Sequence, residues 1–264
     1  MYLRHFGLTH PPLGKEVTAL WDDGGLAQLG ERFAWLLDSP GLGLLTGEPG
    51  VGKTAALRQL TAALNPHRFR VIYVAETDFG RVDVYRAFAQ AMGLPPSYRR
   101  AQLWRDLKAH IHDLVSAKQL LPLWILDEAQ NLPPEFFRDF PSFLNFAFDS
   151  RDLLSVWLVG HPSLAHLLER APYAALNGRI RARVQLAPIL ERERFAKLVE
   201  YGLKSAGCKH TLLADSGLEI LRQASRGNPR LASRILNTAL HLAVPRGLNH
   251  LPDELLQQAL EELR

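Results

Sequence analysis

The chain has 264 residues, 47% of them hydrophobic and 22% charged, with a formal net charge of +4 and a single cysteine, Cys208. This is the composition of a soluble globular protein, long enough for one large domain or a medium domain with a small one, and it excludes a collagen-like, low-complexity or disulfide-stapled chain. The lone cysteine excludes an internal disulfide and a cysteine-built metal centre, while the mild basicity permits a nucleic-acid partner without requiring one.

Residues 1–25 are rich in turn formers (Pro11-Pro12, Gly14, Asp22-Asp23-Gly24-Gly25) and read as a strap lying on the domain. They lack the apolar core of a secretory signal. Residues 26–38 have helical spacing of Leu26, Leu29, Phe33 and Leu36-Leu37. A short strand, GLGLLT (41–46), follows, then a Gly-rich loop and a helix over 55–64. FRVIYVA (69–75) reads as a second strand, and helices are predicted over 83–92 and 101–118, the first ended by Gly93 and Pro95. LPLWILDE (121–128), LLSVWLVG (153–160) and RVQLAPI (183–189) complete a set of five strands. Strands that are continuous apolar runs, alternating with helices, predict an α/β fold with a parallel sheet covered on both faces. From about 191 to 264 only helical periodicity remains, in four segments beginning at Glu191, Ser216, Pro229 and Pro252. The predicted organisation is therefore a strap (1–25), a P-loop α/β domain (26–189) and a small all-α lid (190–264). The longest apolar runs, 120–126 and 153–160, fall far short of the roughly 20 residues of a membrane span, so no membrane contact and a cytoplasmic address are expected.

Gly47-Glu48-Pro49-Gly50-Val51-Gly52-Lys53-Thr54 matches G-x-x-x-x-G-K-[ST] between a strand and a helix, with Ala55 opening the helix. Glycines let backbone N–H groups turn inward on phosphates, Lys53 reaches the β- and γ-phosphates, and the Thr54 hydroxyl suits Mg²⁺. LPLWILDEAQ (121–130) brings Asp127 and Glu128 to the carboxyl end of a strand, where α/β folds place their sites. Asp127 is expected to hold Mg²⁺ and Glu128 to polarise an attacking water, so the expected chemistry is Mg²⁺-dependent ATP hydrolysis. A GTPase N-K-x-D motif and an ABC-type L-S-G-G-Q signature are absent. Arg226-Gly227-Asn228-Pro229-Arg230 opens a helix in the C-terminal region: Asn228 suits the cap, Pro229 the first turn, and Arg230 is aimed from the helix start. His161, in Gly160-His161-Pro162 at the end of the fourth strand, suits either a γ-phosphate contact or an ordinary helix cap.

Together these motifs resemble the AAA+ ATPase plan, in which Arg230 corresponds to the sensor 2 arginine and His161 falls at the sensor 1 place, usually Asn, Thr or Gln. The chain is most similar in look to ExeA-like ATPases and their transposition relatives of the TniB, TnsC and MuB type. That likeness rests on Tyr2-Leu3, Phe6-Gly7-Leu8, LNGRIRARVQLAPI (176–189) and SRGNPRLASRILNTAL (225–240). The resemblance implies that an arginine among Arg179, Arg181 and Arg183 serves a neighbouring subunit as a finger, with Arg179 the first choice; a solvated basic strand edge is the alternative. It also implies a homo-oligomer, as a ring or helical filament, that assembles with ATP on duplex DNA without sequence preference and recruits a transposase or integrase-type recombinase. Arg99, Arg100, Arg105 and Lys108, in PPSYRRAQLWRDLK (95–108), are the expected phosphate contacts. The second reading is an assembly motor for a secretion or envelope system. In ExeA itself a membrane span and a cell-wall-binding extension follow the ATPase, whereas this chain stops at Arg264, which favours the DNA reading. A third, a nucleotide switch without catalysis, fits poorly with an intact Lys53, Asp127 and Glu128.

Overall fold

A computed structural model describes residues 2–16, 19–22, 24–76 and 79–263. In chain order its elements are α1 (Tyr2–His5), α2 (Gly25–Asp38), β1 (Leu42–Gly47), α3 (Lys53–Ala62), β2 (Phe69–Val74), α4 (Asp83–Ala91), α5 (Arg100–Ser116), β3 (Leu121–Leu126), α6 (Pro134–Leu144), β4 (Ser155–Gly160), α7 (Pro162–Leu168), α8 (Ala174–Asn177), β5 (Ile180–Leu186), α9 (Arg192–Ser205), α10 (Asp215–Ser225), α11 (Pro229–Ala243) and α12 (Asp253–Glu262). The five strands form one parallel sheet in the order β2-β3-β4-β1-β5, flanked by helices: the predicted P-loop α/β class.

Two expectations change. The fifth strand is Ile180–Leu186 rather than 183–189. Pro188 has no N–H to donate, and the Ile189 N–H leaves the sheet to meet the Gly227 carbonyl at 2.9 Å. Helix α6 was not foreseen. Pro134 occupies its first turn, and Phe136, Phe137, Phe140 and Phe143 share its buried face, while Pro141, inside the helix, disguises the helical reading of the sequence.

The chain divides into two compact units, each with its own core. One comprises 24–47 and 60–186 and contains the sheet. Its central strands β1 and β4 are buried at every position, the polar Thr46 and Ser155 included, as strands covered on both faces are. Edge strands β2 and β5 carry exposed positions. Trp124 of β3 stacks on Phe88 of α4 with centroids 4.0 Å apart, and Phe136 and Phe140 meet it edge-on. Elsewhere α2 lies close against β1: a Cβ at Gly43 would come within 2.8 Å of both Trp157 and Leu36, so only glycine permits that approach. The other unit comprises 1–23, 48–59 and 187–264. Its core gathers Tyr2, Phe6 and Leu8 with apolar residues of α9–α12, including Phe195, Leu221, Leu236, Leu240 and Leu255. The N-terminal stretch is also tied down by hydrogen bonds from the Thr9 N–H to the Ala206 carbonyl (2.8 Å) and from the Ser233 hydroxyl to the Pro12 carbonyl (2.8 Å).

Candidate active site

The loop after β1 turns on two glycines, Gly50 and Gly52, with φ of 95° and 104°, backbone that a side chain disfavours. Lys53 opens α3 from a buried position, and its ammonium donates back to the Glu48 carbonyl at 3.2 Å. A buried cation, inward-turned glycine backbone and the start of a ten-residue helix fit a triphosphate.

The same loop is gripped by the C-terminal helices of its unit. Asn228 caps α11, accepting from the Arg230 and Leu231 N–H groups at 3.0 and 3.3 Å. Its amide then donates to the Pro49 carbonyl at 2.8 Å, and the Arg230 N–H also reaches the Gly50 carbonyl at 3.3 Å. A Cβ at Gly50 would lie 2.6 Å from Asn228 Oδ1 and 2.8 Å from Arg230 Cβ, so the middle glycine of the motif is required by its neighbour as well as by its φ. The Arg230 side chain is exposed at the start of α11.

In the sheet unit, β4 lies between β1 and β3. Thr46 is level with Gly160, and Leu126 with Leu158, so Asp127 and His161 emerge at the same sheet edge from which the chain leaves β1 into the glycine loop. Asp127 is buried; its Oδ2 accepts from the Tyr73 hydroxyl and its Oδ1 from the Glu128 N–H, both at 2.9 Å. Burial first, then the hydrogen bond to Asp127, raises the Tyr73 phenol above its ordinary pKa, which keeps it a neutral donor. Glu128 sits in the left-handed region, with φ 51° and ψ 36°. For a non-glycine residue this costs about 1–3 kcal/mol and marks a held geometry. The Gln130 amide donates to Glu128 Oε2 at 2.7 Å, and the Gln130 oxygen accepts from the His161 N–H at 3.0 Å. The His161 ring caps α7, with Nδ1 accepting from the Ser163 N–H at 3.3 Å. Neither Tyr73 nor Gln130 was singled out in sequence: Tyr73 reads only as part of the second strand, and Gln130 gains its meaning only from the turn at Glu128.

Residues 37–168 match the AAA domain family. The chain belongs to this family. It is an AAA+ ATPase, a nucleotide-hydrolysing protein, and the matched span takes in the glycine loop, the Asp127-Glu128 pair and His161. It is 31% identical over 254 residues to General secretion pathway protein A of Aeromonas hydrophila, a match covering 94% of this chain and 46% of that protein. The ATPase thus spans less than half the length of this curated relative. In fold it resembles Cdc6p from Pyrobaculum aerophilum (TM-score 0.71, 19% identity, 98% of this chain and 70% of that one). It also resembles the ORC1 protein of Aeropyrum pernix in complex with DNA (TM-score 0.69, 19% identity, 95% and 68%). A third likeness is to Drosophila ORC bound to DNA (TM-score 0.72, 16% identity, 95% and 64%). The ExeA-like side of the expected resemblance is thereby supported, and no transposition ATPase stands among these relatives.

The remaining expected residues of the AAA+ ATPase separate by their partners. Arg179 is ion-paired to Asp149 at 2.7 Å, Arg181 to Asp152 at 2.6 Å, and Arg183 donates to Asn177 Oδ1 at 2.7 Å. Two of the four expected DNA contacts are held by partners within the chain. Arg100 is paired to Asp139 at 2.9 Å and stacks over Trp104 at 4.3 Å. Lys108 donates to the Ser142 and Asn145 carbonyls at the end of α6, at 3.1 and 2.8 Å, and burial lowers its pKa. Both sets of contacts run from α5 to α6 or to the residue after it. Arg99 and Arg105 are exposed, the latter hydrogen-bonded to Gln102.

Proposed function

We propose that this AAA+ ATPase is an ATP-driven assembly factor that works on duplex DNA, serving a transposase or integrase-type recombinase. The observation that carries the reading is the Asn228–Pro49 and Arg230–Gly50 contact, which ties the phosphate loop to the helix bearing Arg230. Any change in that loop on nucleotide turnover is felt by α11, the physical requirement for a nucleotide-dependent switch. ATP with Mg²⁺ supplies the scissile phosphoanhydride and the neutralising cation. The chain's own part is to bind the phosphates with the loop amides, Lys53 and Thr54, to hold the metal's side with Asp127, and to orient water with Glu128. Arg230 answers to the γ-phosphate end of the nucleotide, and Arg179 acts on the site of a neighbouring subunit.

Support for DNA comes from exposed Arg99 and Arg105, the formal charge of +4, the resemblance to transposition ATPases, and a fold shared with ORC proteins solved on DNA. Filter binding of random duplexes with ATP, ADP and a non-hydrolysable analogue, at several salt concentrations, tests it. Duplex binding is expected only with ATP or the analogue, falling steeply with salt. The double change Arg99→Ala, Arg105→Ala is expected to weaken all sequences alike and to reduce the salt slope by about 1–2, with basal hydrolysis intact. Absence of duplex binding in every nucleotide state at low salt sinks this reading. It would put forward a second one, favoured by the likeness to General secretion pathway protein A: an ATPase that assembles protein partners of a secretion or envelope system.

A further inference from the structure

β2 and β3 run parallel, with Tyr73 level with Ile125 and Val74 level with Leu126. Side chains alternate along a strand, so Tyr73, Ile125 and Asp127 share one face of the sheet. Ile72 and Val74 point to the other face, where they join the core built from α4, α5 and α6. On its own face Tyr73 lies at an open edge: β2 is the outermost strand, and Val71 and Tyr73 are 36% and 50% exposed. Tyr73 belongs to neither apolar core, so burial of its ring contributes little to the fold. What the side chain does reach is Asp127. Two residues along a strand is about 6.6 Å, a span that a phenol leaning along the strand covers and a serine or threonine hydroxyl does not. The Tyr73 hydroxyl donates to Asp127 Oδ2 at 2.9 Å, and the Val74 carbonyl accepts the Asp127 N–H at 2.8 Å. Neighbouring residues of the edge strand thus hold both the backbone and the carboxylate of Asp127.

We propose that Tyr73 is a positioning residue for the ATPase reaction, its hydroxyl fixing the Asp127 carboxylate in the orientation that takes Mg²⁺. The inference rests on the reading of Asp127 as the residue on the metal's side, and it names what aims that residue. A carboxylate at the end of a strand turns about its Cβ–Cγ bond unless something stops it. The phenol on Oδ2 and the Glu128 N–H on Oδ1 (2.9 Å) grip it by both oxygens, so its ordering is completed in folding rather than on metal binding. The Glu128 N–H is local to the turn and stays whatever β2 carries. The phenol is the grip that comes from another strand, and it sets the plane of the carboxylate against the sheet. Partners of this outer kind are worth about 10–100-fold in metal affinity when removed.

The test reads Mg²⁺ dependence without turnover. Mg²⁺ is titrated into the full chain with a sub-saturating fluorescent, non-hydrolysable ATP analogue, for wild type, Tyr73→Phe, Tyr73→Leu and Asp127→Asn, with thermal midpoints reporting folding. Tyr73→Phe keeps the ring and removes the hydroxyl alone. It is expected to raise the half-effective Mg²⁺ concentration about tenfold, while binding of the analogue in EDTA stays as in wild type. Tyr73→Leu is expected to match it; a shift in the leucine variant alone credits the ring and overturns the proposal. Asp127→Asn examines the reading underneath and is expected to shift the midpoint at least as far. If it does so and Tyr73→Phe does not, the tyrosine role falls and the metal-side reading stands. If neither shifts, the metal-side reading falls and takes the proposal with it. An equal loss of binding by Tyr73→Phe in EDTA and in Mg²⁺ makes the hydroxyl merely structural, and a lowered half-effective concentration makes it a brake on the metal; either result overturns the proposal.

Discussion

Glu128 stands in a backbone conformation that few glutamates adopt, and one side chain fixes where its carboxylate points. Gln130 spans from Glu128 Oε2 to the His161 N–H, so the acid is registered against the end of β4 rather than left to rotate. A water-polarising carboxylate is useful only if its orientation survives binding, because misplacement by an ångström costs orders of magnitude in rate. Gln130→Ala is therefore expected to lower kcat about tenfold or more while KM for ATP stays within about twofold, and Gln130→Glu to fall further, because a second carboxylate repels Glu128. A steady-state ATPase assay of the variants decides it; equal losses in nucleotide affinity would assign Gln130 to binding instead. At this scale the sequence was generous with Lys53, Asp127 and Glu128, since a phosphate loop and an apolar strand ending in acids are local patterns. It was silent on Tyr73 and Gln130, whose roles depend on which strand lies beside β3 and on how the chain turns at Glu128.

Helices α5 and α6 show how charged side chains hold two elements together. Asp139 of α6 receives Arg81 at 2.7 and 3.1 Å and Arg100 of α5 at 2.9 Å. Burial alone would raise the Asp139 pKa, but the two guanidiniums outweigh it and hold the carboxyl below its ordinary value. A depressed folded pKa stabilises the fold above the ordinary carboxylate range, and that contribution is lost as pH falls through the ordinary value towards the folded one. Asp139→Asn is thus expected to cost about 1 kcal/mol at pH 7, with the difference from wild type shrinking below pH about 4, as read by urea unfolding at the two pH values. A constant difference across that range would mean that packing rather than charge holds the pair. The same contacts separate the cations of the basic stretch 95–108, which look alike in sequence: Arg100 pairs with Asp139 of α6 and Lys108 donates to carbonyls at that helix's end. Helix α6 itself escaped notice because Pro141 interrupts a phenylalanine stripe that otherwise has clear helical spacing.

For the whole molecule the central question is whether one chain completes its own site. If Arg179 acts in trans, Arg179→Ala and Glu128→Gln subunits are each nearly inactive alone, yet a mixture recovers part of the wild-type rate, because one supplies the finger and the other the acid. Turnover of a mixing series checks this, and a rate that is independent of total protein and never exceeds the sum of the two parents excludes a finger in trans. The class of fold was legible because alternating apolar strands and helices leave few alternatives. The grouping of residues 48–59 with the C-terminal helices was not, because it depends on contacts between segments about 180 residues apart, such as Asn228 with Pro49. The strand order has a further consequence, which concerns the ribosome. β1 is made before the other four strands, yet its two partners, β4 and β5, end at Gly160 and Leu186. At about 5–20 residues per second, the strand that precedes the phosphate loop waits roughly 6–23 s with both edges bare, and roughly 7–28 s before both partners exist. Tyr2, Phe6 and Leu8 wait longer still, since Leu255 and Leu256 complete their core. Until Leu186 is made the sheet lacks its last strand, and the nascent chain depends on whatever in the cell shields sticky, half-made polypeptides.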